Sequence, residues 1–127
     1  MITEILDYLR SQCNLFCSMS FNDEIPKSDV NDVCAIRVLN GDRVSTLQGE
    51  MIYNTAFIQV FYRGTNDRAA SLDIAQNISE HLHQLAGVNL TSTHVGFITA
   101  TPPVFAFVDE NQNVNYSFTI ELEYDKK

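Results

Sequence analysis

Two periods of apolar residues run through this chain, and each predicts its own kind of element. Ile2, Ile5, Leu6 and Leu9 recur every three or four residues, which predicts a short amphipathic helix over residues 3–12. Leu15, Cys17, Met19 and Phe21 then alternate with more polar neighbours, the pattern of a strand with one wet face. "NDEIPKSDVND" combines a proline with several acids and reads as an exposed loop. "VCAIRVL" (Val33–Leu39) predicts a second strand, and "NGD" at Asn40–Asp42 is the strongest turn signal, opening an irregular stretch to about Gly49.

The segment "MIYNTAFIQVFYRG" follows, with Ala56, Ile58, Val60 and Tyr62 on one face and Phe57, Gln59, Phe61 and Arg63 on the other. Both faces are largely apolar, so the strand is expected to be central and covered on both sides. A cap at Thr65, Asn66 or Asp67 starts a longer helix that Gly87 is expected to close. Its stripe is Ile74, Ala75, Ile78, Leu82 and Leu85, one-sided like a helix lying on a sheet. "HVGFITAT" predicts a strand that stops at Pro102-Pro103, and "VFAFV" and the turn "DENQN" come next. Val114, Tyr116, Phe118, Ile120, Leu122 and Tyr124 alternate strictly with polar residues in the final strand. The order predicts an α+β domain over residues 1–127. It is a mixed, mostly antiparallel sheet of about four to six strands, packed by a short N-terminal helix and a longer central one.

Composition narrows the class. At 127 residues and 45% apolar content the chain can bury a core without disulfides or metal. No apolar run approaches the roughly 20 residues that span a bilayer. Glu4 and Asp7 stand where a signal peptide carries positive charge, so assembly in the cytosol and no membrane contact are expected. Cys13, Cys17 and Cys34 are odd in number and form no Cys-x-x-Cys pair, which points to reduced thiols. The net charge of −8 argues against gripping nucleic acid through phosphates.

A search for chemistry finds little. His81 and His83, two apart, lie roughly 200° from each other around a helix and cannot share a metal from there. His81 flanks the apolar stripe and His83 points to solvent; His94 could approach one of them in space, but the sequence marks no third ligand. The five glycines are scattered singly, and no Gly-x-Ser-x-Gly occurs. The pairs Asp23/Glu24 and Asp109/Glu110 sit in loops, and Glu121/Glu123 on a wet strand face, so solvated acids are expected in place of a catalytic pair. No enzymatic activity, cofactor or metal is expected. What stands out is apolar surplus, around Leu72 on the helix and around Pro102, Pro103, Phe105 and Phe107 at a sheet edge. Either loops cover the second sheet face or these groups face another subunit.

The strand ending "QVFYRG", the helix "AASLDIAQNISEHLHQL" and the tail "TPPVFAFVDENQNVNYSFTIELEY" together resemble the small minor capsid and tail terminator proteins of long-tailed bacteriophages. The likeness rests on Gln59, Val60, Arg63 and Gly64, then Pro102 and Pro103, then Asp109, Glu110 and Asn111, then Tyr116 to Leu122. It is strongest over residues 51–124. It implies a virion protein without an active site, forming a homo-oligomeric ring, usually of six, on the last tail-tube ring and meeting the head connector. DNA passes through such a ring without specific binding. On this reading Arg63, Arg68, Leu72, Pro102, Pro103 and Phe105 are subunit-interface candidates, with Arg63 alternatively a scaffold clamp reinforced by Arg68. Asp23, Glu24, Asp29 and Asp32 are channel-facing candidates. The alternatives are a head-completion or stopper protein of the neck, a small bacterial ligand-binding module and, last, an enzyme.

Overall fold

Both helical stripes form helices in the computed structural model, which describes residues 2–22, 31–45 and 52–126. Helix α1 (Ile2–Cys13) buries Ile5, Leu9 and Cys13 completely. Helix α2 (Arg68–His83) starts at Asp67, whose carboxylate accepts from the Ala70 N–H at 3.1 Å, satisfying one of the free amides of the first turn. Its buried stripe includes Ala75, Ile78 and Leu82, and a fully buried Ile or Leu contributes about 1.5–3 kcal/mol.

The strands are β1 (Met19–Asn22), β2 (Val33–Ser45), β3 (Ile52–Arg63), β4 (Ala86–Asn89), β5 (Thr93–Ala100), β6 (Val104–Val108) and β7 (Val114–Lys126). They form one sheet in the order β1-β2-β3-β7-β5-β4, with β6 also paired to β7. All the pairings are antiparallel except β1 with β2. The fold is α+β, with both helices against the sheet.

Register explains which residues make the core. Ala56, Ile58, Val60 and Tyr62 of β3 stand opposite Leu122, Ile120, Phe118 and Tyr116 of β7, and all eight are buried. These rows face α1 and α2. On the other face Phe57 and Gln59 are half-buried, whereas Phe61, packed on Phe107 at 5.9 Å between ring centroids, is buried.

Three sequence expectations are corrected. Asn40–Asp42 is no turn: β2 runs on through it, paired Asn40↔Phe57, Gly41↔Ala56 and Asp42↔Thr55, with a register shift between Val38 and Asn40 taking up Leu39. A long antiparallel partner outweighs local turn preference. Residues 46–50, the rest of the expected irregular stretch, lie outside the described residues. Gly87 does not close α2, which ends at His83 with Gln84 as its cap. Ala86 already pairs with Phe97, so the chain has entered a strand, unpredicted from the sequence, in which Gly87 adopts φ +63°. Leu15 and Cys17 lie in a turn after α1, and the strand is confined to Met19–Asn22.

Strands β5 and β6 lie along the same side of β7. Ala100 pairs with Ile120 and Val104 with Ser117, and between them the Thr101 N–H donates to the Thr119 carbonyl at 3.0 Å. They form one long line of chain interrupted at Pro102-Pro103, where ladder donors are missing. The β4 hairpin covers β5, and β6 continues beyond it.

Candidate functional site

Among the described residues, β6 is a strand of five consecutive exposed apolar residues. Val104 is 64% exposed, and Phe105, Phe107 and Val108 are also exposed. Apolar side chains leave both faces of this strand, since a register shift separates Phe105 from Phe107. Phe105 meets Tyr116 edge-on at 6.2 Å, and the Arg68 guanidinium carbon lies 5.0 Å from the Phe105 ring centre. Phe107 turns the other way, onto Phe61. Arg68 and Phe105 are therefore brought together at one edge, where an exposed cation–π contact is worth about 0.5–1 kcal/mol.

Arg63 is only 3% exposed. Its Nε donates to Asn115 Oδ1 at 3.0 Å and lies 3.1 Å from Asp109 Oδ2 in a buried ion pair. Asp109 Oδ1 accepts from the Asn111 and Asn113 amides at 2.9 and 3.0 Å, shaping the turn between β6 and β7. The Asn115 amide donates to the carbonyls of Phe107 and Asn113. Arg63 thus ties the end of β3 to the hairpin that carries β6, the kind of contact a scaffold clamp makes. The expectation that Asp109 is a solvated loop acid is corrected, because the ion pair and the turn amides draw it inside. Asp109 and Asn115 were missed as partners. The Asp-x-Asn-x-Asn spacing of the turn was their only sequence signal.

Other candidates separate. Leu72 is half-buried and packs against the core, so the apolar surplus expected there is corrected. Arg68 does not reinforce the Arg63 corner; it stands over Phe105, and its carbonyl accepts from the Tyr116 hydroxyl at 3.4 Å. Pro102 and Pro103 border a groove of about 380 Å³ against α2, lined also by Gln76, Ser79, Glu80 and His83. There the Ser79 hydroxyl donates to the Thr101 carbonyl at 2.7 Å, and His83 Nδ1 accepts from the Ala100 N–H at 3.0 Å. His83, expected to point to solvent, also holds the strand break against the helix. Exposed Phe97, on β5, was not singled out from the sequence.

Of the acids, Asp23, Glu24 and Asp29 lie outside the described residues. Asp32, the described one of the four channel-facing candidates, has partners within the chain. Its carboxylate accepts from the Ser18 hydroxyl at 2.6 Å and the Tyr62 hydroxyl at 2.9 Å, at a residue with φ 55°. Burial, then the Asp32 contact, pushes the Tyr62 phenol far above its usual range. Cys13, Cys17 and Cys34 are buried thiols that lie close together, and the Cys13 and Cys17 contacts together with burial raise the Cys34 thiol well above its ordinary value. Among the described residues, no group of three or more His, Cys, Asp or Glu is disposed to hold a metal ion. No helix among them is long and apolar enough to cross a membrane.

The architecture that emerges is a two-helix α+β domain whose one sheet carries an open apolar strand. No protein-family model matches the chain, and no curated protein does. Among solved structures it is similar in fold to a chain from the virion of a native gene transfer agent particle. That likeness has a TM-score of 0.53 at 12% identity, over 94% of this chain and 84% of that one.

Proposed function

We propose that this protein is a non-enzymatic structural component of a phage-like virion, a tail terminator whose ring caps the tail tube and meets the head connector. The observation that carries the proposal is the exposed, uncharged strand β6, presented at a sheet edge. Monomeric proteins seldom leave such a strip uncovered, and edge strands are usually guarded by charge. The fold shared with a gene transfer agent virion chain supports a place in a particle of that kind. The sequence resemblance to tail terminators supplies the finer role.

In this role the subunits form a ring, expected to be of six, through which DNA slides without specific binding. A net charge of −8 suits a conduit that repels the duplex. Asp23, Glu24, Asp29 and Asp32 are the channel candidates. A head-completion or stopper role one layer up uses the same surfaces with a different partner. The test is tube growth: purified protein added to polymerising tail-tube protein is expected to cap tubes and halt elongation, with a ring visible at one end by electron microscopy. Tubes of undiminished length with bare ends would overturn the terminator role. Binding to the connector alone would favour the stopper.

A further inference from the structure

We propose that the subunits join head to tail by strand addition, β6 of one copy pairing antiparallel with β1 of the next. The inference rests on the ring reading above and names its contact. The two strands stand at opposite edges of the sheet, and β4 covers the β5 half of the far edge, leaving β6 as its open half. Among the described residues, neither β1 nor β6 makes a backbone hydrogen bond on its outer side.

Register puts the two openings at one level. Following the pairings across the sheet, Val104 leads to Ser117, Phe61, Ala35 and Phe21. One row along, Phe105 leads to Tyr116, Tyr62, Cys34 and Ser20. A copy placed beside the first therefore meets it with β1 level with β6. Polarity agrees as well. β1 runs with β2 and β7, β3 and β6 run against them, so a rotation that keeps strand direction sets β6 antiparallel to the next β1.

The chemistry matches too. "VFAFV" and "MSFN" carry no charge, so neither strand has the charged side chains that discourage edge pairing. Because the two edges differ, each copy offers one of each and the contact propagates from copy to copy, giving a ring when the rotation between copies closes; a single self-complementary edge would stop at a dimer.

Two single variants of the full chain, Val104→Cys and Phe21→Cys, read the contact directly, because the three native thiols are buried. Under mild oxidation the mixed variants are expected to give a disulfide-linked pair, while each alone stays monomeric on a non-reducing gel. The double variant is expected to give a covalent ladder ending at the ring. Val104→Cys linking to itself would overturn the proposal in favour of a two-fold dimer. Rings seen by microscopy without any covalent ladder would overturn this contact and leave the ring reading standing. No ring at any concentration, with or without tail-tube protein, would remove both. Should Phe21→Cys fail to fold, Val104→Lys decides: a native circular dichroism spectrum with rings abolished supports the edge contact, and retained rings refute it.

Discussion

Arg63 shows how one side chain can hold a distant hairpin. Its neighbours Asp109 and Asn115 are 46 and 52 positions away in the chain, and all three are withdrawn from water. Removing one member of a buried ion pair leaves the other charge uncompensated, at a cost of about 3–5 kcal/mol. Arg63→Ala is expected to lower the melting temperature sharply in dilute, monomeric protein, which calorimetry would measure. An unchanged melting temperature would contradict the clamp. Tyr62 adds a pH dependence of opposite origin. Its phenol is raised, so the folded chain keeps a proton that the unfolded chain releases near pH 10. Stability is complete below that value and falls as pH rises above it. Denaturant midpoints should therefore decline on the alkaline side, and Tyr62→Phe should flatten the decline.

Junctions between elements depend on close approach. At Gly64, where β3 passes into the cap of α2, an added Cβ would lie inside the Ser71 side chain, whose hydroxyl accepts from the Thr65 N–H at 3.0 Å. Gly64→Ala is expected to cost about 1–3 kcal/mol through overpacking, seen as a lower urea midpoint. Ser71→Gly on the same background should recover part of it. At the opposite end, Glu4 of α1 accepts from the Ser92 hydroxyl at 2.6 Å and from its amide, tying the helix to the turn between β4 and β5. The Ser92 hydroxyl chiefly lowers the Glu4 pKa. The tether is therefore complete above the ordinary carboxylate range and is lost as pH falls through Glu4's own lower value. Protection of the Ser92 amide against hydrogen exchange, relative to its intrinsic rate at each pH, should fall across that acid window, and in Glu4→Gln that fall should disappear.

For the assembled particle, strand pairing and simple apolar adhesion predict different outcomes. Phe97 is as exposed as Val104, yet it stands on β5, whose outer side β4 already covers. If subunits join through the open strand, Val104→Lys abolishes association and Phe97→Lys leaves it intact, as light scattering across a concentration series would report. Equal losses from both would favour a general apolar patch. The alternation of the final strand and the stripes of both helices were legible because a period of two or of 3.6 is written in consecutive residues. The cap at Asp67, the turn at Asp109 and the break at Pro102-Pro103 were legible for a similar reason: side-chain and ring chemistry acts within a few positions. The path of β2 through Asn40–Asp42, the extra strand at Ala86–Asn89 and the burial of Asp109 were not, because each depends on a partner many residues away. The same holds for the level alignment of β1 with β6, which follows from four successive ladder registers and has no trace in either strand's own residues. Local periodicity encodes which elements form and which face is apolar, whereas sheet register, set by the long-range packing of those faces, determines which edge is left open.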